Sequence, residues 1–352
     1  MERRSEAGER REGRTGVDRA PASRSGAEAE ITAWLLIETL GAPESWSLVA
    51  VGTAPRQWKS LARAVPGRVL PVLAAAHATG EPVERILPKS RHAWSQQRVQ
   101  AIPVIGPGDR VYAVHVRVGE GDTEPTSAAP YLYNNDDRRL EVVSTGLGPD
   151  FDRGRTVWTG TETFEYVERF DDALDWVATM AQAVPGARWL GEMTVRIPGG
   201  LRTLMTAARS DDEDPRRWRG LLVDITDSVP PQQKSFEAAT VDTLVNANPG
   251  LYLAVVDTEQ VRVLRWISGP IPGLRWSSDI EERTLPHPDD LERIRAARND
   301  VRAGKLNQAL PGLRLAATDG GWLRVDAEIS PLPHGAPAEG RPRFALVRFE
   351  VL

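Results

Sequence analysis

The chain has 352 residues, 41% apolar and 26% charged, which is ordinary for a globular protein and long enough for two or three domains. Its 44 basic and 49 acidic side chains leave a net charge of -5, which offers no electrostatic footprint for nucleic acid or an anionic membrane. The absence of cysteine excludes disulfides, thiolate zinc sites and a cysteine nucleophile, and the longest apolar run, around Val69 to Ala76, is far too short to cross a bilayer.

Residues 1–29 read as a charge-mixed disordered tail. Arg3-Arg4 and Arg10-Arg11 stand among acidic residues, and no apolar segment follows before Ile31. No export signal is therefore read, and a cytoplasmic location is expected.

The first folded segment, residues 30–120, opens with Trp34 to Ile37 and Trp46 to Val51, separated by Gly41-Ala42-Pro43 in a strand-turn-strand pattern. Residues 55–87 read as helical through Leu61, Val65, Leu70, Leu73 and Ile86, with breaks at Pro66-Gly67 and Gly80-Glu81-Pro82. A hairpin follows, Val99 to Ile105 and Val111 to Val118. In its second arm Val114, Val116 and Val118 alternate with Ala113, His115 and Arg117, so one apolar face is expected. Gly119 to Ala129 is the exit linker.

A repeat follows. Tyr131-Leu132, Asp136, Leu140 and Val142 recur as Tyr252-Leu253, Asp257, Val261 and Val263 at a constant offset of 121 residues, which predicts duplicated units at 128–228 and 248–352. Each carries a helix start, Asp171-Asp172 in one and His287-Pro288-Asp289-Asp290 in the other, whose acidic pairs suit capping and the helix dipole. Three strands follow each helix: Met193 to Ile197, Leu201 to Ala207 and Trp218 to Ile225, then Leu313 to Ala317, Trp322 to Ile329 and Phe344 to Val351. Residues 229–247 form a connecting helix or linker, with Phe236 and Leu244 in its apolar stripe.

The fold class expected is α+β, three consecutive domains with antiparallel sheets flanked by helices. With its Arg217 to Thr226 closing strand, its His-Pro-Asp-Asp helix start and its Asp319-Gly320-Gly321-Trp322 hairpin, the duplicated part resembles a pair of PAS domains. The first segment is similar to a short GAF domain. The whole resembles an actinobacterial family of stand-alone GAF-PAS-PAS proteins. That resemblance implies a sensory or regulatory protein in signal transduction, without an output domain of its own, that binds a small molecule or a protein partner. A ligand-free interaction scaffold is the alternative, and an enzyme is not expected.

No catalytic or metal-binding motif stands out. The histidines are scattered. His287 reads as a cap rather than a haem ligand, and Asp211 to Asp214 as a solvated hairpin tip. No cofactor is predicted. The 11 tryptophans supply the site candidates: Trp158, Trp176, Trp189, Trp266 and Trp276 for a ligand pocket, and Trp322, Phe236 and Leu244 for an interface. An unknown signalling partner and a possible homodimer are expected, without nucleic acid or membrane insertion.

Overall fold

The computed structural model describes residues 33–89, 94–121, 123–259, 261–276, 286–332 and 342–352, so the tail reading for residues 1–29 lies outside the described residues. Three antiparallel sheets organise these residues, and the fold class is α+β. None of the described helices is long and apolar enough to cross a membrane.

The first sheet is built from β1 (Leu35–Glu38), β2 (Ser47–Val51), β3 (Ala54–Ser60), β4 (Val83–Ile86), β5 (Arg98–Gly106) and β6 (Arg110–Val118), in the order β3-β2-β1-β6-β5-β4. Helices α1 (Leu61–Ala64) and α2 (Leu70–Thr79) occupy the span between β3 and β4. The all-helical reading of 55–87 is corrected at both ends. Residues 54–60 and 83–86 are edge strands, and only the middle, which supplies Val72, Leu73 and Ala76 to the core, is helical.

The single-apolar-face reading of β6 is also corrected. Val114, Val116 and Val118 face the helical core, while Ala113, His115 and Arg117 on the other side are buried as well. The reason lies in the second sheet. It contains β7 (Ala128–Asn134), β8 (Arg139–Val142), β9 (Val157–Thr159), β10 (Val167–Arg169), β11 (Arg188–Ile197), β12 (Gly200–Ser210) and β13 (Arg217–Asp224), in the order β10-β11-β12-β13-β7-β8-β9. Leu36, Val49, Ala50, Tyr112 and Ala113 of the first sheet share one buried cluster with Met205, Ala207, Leu221 and Val223 of the second. Strands covered on both faces lose their polar alternation, which is why β1, β2 and the middle of β12 read as near-continuous apolar runs.

Helix α3 (Gly160–Glu165) follows β9, and α4 (Ala173–Gln182) lies between β10 and β11. Helix α5 (Phe236–Ala247) then leads into the third sheet. That sheet comprises β14 (Leu251–Asp257), β15 (Arg262–Trp266), β16 (Gln308–Ala316), β17 (Trp322–Pro331) and β18 (Phe344–Val351), in the order β15-β14-β18-β17-β16, with helix α6 (Leu291–Arg302) between β15 and β16. Five strands of the second sheet, β8-β7-β13-β12-β11, run in the same order as the third. The 121-residue repeat thus falls on strands that occupy equivalent positions.

The two helix starts differ. His287 Nδ1 accepts from the Asp289 amide at 3.2 Å and Pro288 takes the first helical position, as a cap requires. Asp290 is buried and bound by Arg314 at 3.0 Å and Arg293 at 3.1 Å; the Arg314 hydrogen bond, foremost, brings its pKa down to about 2. Asp172 makes no side-chain cap bond, and Asp171 instead chelates Arg169.

Candidate functional site

The face of the second sheet turned away from the first carries the aromatic residues. Along β13, Leu221 and Val223 enter the inter-sheet core, while Leu222 faces a cavity; along β12, Met205 and Ala207 do the former, Leu204 and Thr206 the latter. The cavity has a volume of about 170 Å³. The sheet lines one side of it, and Leu147, Phe151, Trp158, Phe164 and Trp176 are among the residues that line the rest.

Local signals place each wall residue. Thr159 opens α3 with a capping box: its hydroxyl accepts from Glu162 N at 3.4 Å, and its own amide donates to Glu162 Oε2 at 2.8 Å. Phe164 is thereby fixed on a short helix that propensity alone would not hold. Trp176 on α4 packs against Tyr133, Phe164, Phe170 and Trp189, with ring centroids 5.8 to 6.4 Å apart. Tyr131 stands opposite Gly220 in the β7–β13 register, and a Cβ at Gly220 would sit 2.3 Å from the Tyr131 ring. Only glycine lets that ring lie flat across the strand.

The Tyr131 hydroxyl then meets Thr206 Oγ1 at 2.8 Å inside the apolar wall. Burial pushes its pKa upward, so it stays a neutral donor and acceptor. Trp176 Nε1 lies close enough to oppose that rise, yet among the described residues no acceptor meets it at hydrogen-bond geometry. A buried donor without a partner costs about 1–3 kcal/mol.

Of the sequence candidates, Trp158 and Trp176 line this cavity, and Trp189 stands behind them against Trp176 and Phe170. Trp266 and Trp276 line a different cavity of about 140 Å³ in the third sheet, with ring centroids 6.3 Å apart. The five residues therefore divide between two places. Trp322 is half exposed and meets His287 edge to face, with ring centroids 4.6 Å apart; Phe236 and Leu244 are exposed on α5. Asp211, Asp212 and Asp214 pair with Arg219, Arg209 and Arg217 at the β12–β13 turn. Among the described residues no group of three or more His, Asp or Glu side chains is placed to hold a metal ion. Sequence reasoning missed Tyr131, Thr206 and Phe164 as wall residues. The available signal was Gly220, a glycine inside a strand, which marks a close approach.

Fold and cavity together define an α+β protein of three antiparallel sheets with an aromatic chamber in the middle one. Residues 33–127 match the model of the Rv3651-like N-terminal domain, and residues 240–332 that of the Rv3651-like C-terminal domain. Together these cover more than half of the chain, which belongs to the Rv3651-like family. The chain is similar to the crystal structure of an uncharacterized protein from Mycobacterium tuberculosis, with a TM-score of 0.65 and 21% identity over 91% of this chain and 96% of that one. An RNA-binding Light-Oxygen-Voltage receptor overlaps at a TM-score of only 0.24 and 12% identity, over 64% of this chain and 95% of that one, too low to indicate a shared fold. No curated protein matches.

These matches overturn the GAF-PAS-PAS resemblance. The motifs that suggested it have local causes. Asp224 accepts from the Thr226 amide at 3.0 Å and Asp319 from the Gly321 amide at 2.8 Å, both Asx turns that any strand end can carry. Gly220 serves the Tyr131 ring.

Proposed function

We propose that this protein is a non-catalytic binding protein that takes a small apolar molecule into the chamber of its second sheet and acts by presenting its occupied state to a partner. The chamber itself carries this reading. Its wall offers dispersion surface from Phe151, Trp158, Phe164 and Trp176, with the Tyr131–Thr206 hydroxyl pair set among them, which is the chemistry of retention. At 170 Å³ it suits a single substituted ring, since an engineered apolar cavity of about 150 Å³ binds benzene.

Toluene is the direct probe. Saturating toluene should raise the melting temperature of the wild-type chain, and Leu204→Phe, which extends a buried wall residue into the space, should remove the rise. An unchanged melting temperature in the wild type, or an equal rise in the variant, would sink the reading.

A second reading, assembly through α5, is favoured by the exposure of Phe236 (82%) and Leu244 (55%). Light scattering should then give a mass above the monomer that Phe236→Ser with Leu244→Ser reduces; a monomer at high concentration removes this reading.

A further inference from the structure

Three arginines surround the chamber, and they are not equivalent. Arg155 lies over the Trp158 ring at 3.7 Å and is paired with Glu162 at 3.0 Å. Arg196 lines the wall, but Glu168 binds it at 2.5 Å and the Glu165 carbonyl accepts a further bond from it. Arg153 also lines the wall and is half-buried; it donates to the Asp150 carbonyl at 3.2 Å and covers the Tyr166 ring at 5.3 Å. Among the described residues no carboxylate lies within the 4.0 Å of an ion pair with it.

Its neighbours hold it in place. The Asp152 amide donates to the Pro149 carbonyl at 3.1 Å to close a single 3-10 turn, Pro149–Phe151, and Asp152 Oδ1 accepts from the Gly154 amide at 2.8 Å, so the backbone on both sides of Arg153 is tied. Gly154 takes a positive φ of 67°, which glycine adopts without strain. Phe151, the residue two before Arg153, lines the same chamber.

We infer that the ligand is a small aromatic or apolar carboxylic acid, with its carboxylate on Arg153 and its apolar part in the chamber. The inference rests on the chamber being a ligand site. A guanidinium offers paired donors matched to a carboxylate, and a charge-assisted bond at a half-buried rim is stronger than one in open water. The size limit works in the same direction: one ring fills the volume, leaving one polar group to reach the rim. A phosphate would leave most of its charge unanswered, since Arg155 and Arg196 are already neutralised.

Isothermal titration of the full chain with phenylacetate and with its uncharged isostere phenylacetamide provides the test, with toluene as the control for the chamber. Phenylacetate should bind about tenfold more tightly than the amide, the advantage of one hydrogen-bonded charge at a partly solvated site, and added salt should narrow the gap. Arg153→Gln should abolish the preference while toluene still binds, which shows that the variant is folded; Arg153→Lys should restore part of it. Equal binding of acid and amide, or a preference that survives Arg153→Gln, overturns the inference and leaves the chamber reading intact. If toluene does not bind the wild type, the chamber reading fails and this inference with it.

Discussion

The second sheet meets its two neighbours in different ways. Against the first sheet it presents an apolar face, with Leu36, Ala50, Ala113, Met205, Ala207, Leu221 and Val223 all fully buried in one cluster. Against the third it presents charge. Arg138, in the β7–β8 turn, pairs at 3.6 Å with Asp257, a fully buried carboxylate at the end of β14 that also binds Arg343 at 3.2 Å. Arg265 of β15 lies over the Phe164 ring at 5.7 Å. An apolar seam of that kind makes two sheets one folding unit, whereas a small charged seam lets its partners separate at modest cost. The chamber lies in the sheet that has both.

The comparison breaks first at the apolar seam. Leu221→Ala, at a fully buried position, should cost about 4 kcal/mol, and denaturant-dependent hydrogen exchange should show the first and second sheets loosening together. Separate unfolding of the two sheets would deny that they form one unit.

His115 tests the same seam through pH. Burial depresses its pKa to about 4 from an ordinary value near 6.5, so between those limits the unfolded chain binds a proton that the folded chain does not. Stability is therefore fully present above about pH 6.5 and falls as pH drops toward 4, with His115 contributing about 3 kcal/mol of that loss. His115→Gln should flatten the stability profile over this interval in urea titrations; an identical slope would show that the site is not sealed.

How much of this was legible follows from what each signal reports. The sheets of β5–β6, β11–β13 and β16–β18 could be read because their apolar runs end in turn residues, and the repeat exposed the equivalence of β7–β8 with β14–β15. The edge strands β3 and β4 were missed because Leu61, Val65 and Leu70 dominate a window whose flanks, such as Arg56-Gln57-Trp58 and Glu84-Arg85, carry little apolar pattern. The apolar seam left a trace, the continuous runs of β1 and β2, but nothing local says which sheet covers the second face. The chamber was half visible. Tryptophan content suggested it, yet Trp158, Trp176 and Trp189 gather around one site and Trp266 and Trp276 around another only through strand order. Arg153 carried no signal, since in sequence it stands beside Asp150 and Asp152, and only the structure shows that it takes the Asp150 carbonyl while Asp152 Oδ1 takes the Gly154 amide.

At the charged seam the expected effect is smaller and local. Asp257→Asn keeps the shape but removes the charge shared by Arg138 and Arg343, and should loosen the third sheet from the second by about 2 kcal/mol. Exchange should quicken in β14 and β15 while the melting of the first two sheets stays put. A single transition lowered throughout would mean that the third sheet is part of the same unit.

The smallest change is at Arg265, and it asks whether the charged seam reads the chamber. Phe164 belongs to the chamber wall on one side and to the Arg265 contact on the other. Anything that seats a ring against Phe164 therefore fixes the surface on which Arg265 rests. Arg265→Met keeps the apolar stem and removes the cation, so it should cost only about 0.5–1 kcal/mol of docking, a contact of cation–π size. With the wild type, toluene in the chamber should slow amide exchange in β15 of the neighbouring sheet; with Arg265→Met that remote slowing should vanish while the slowing around Trp176 and Tyr131 remains. Loss of both would show that Arg265 holds the chamber's shape, and persistence of both would show that another contact carries the coupling.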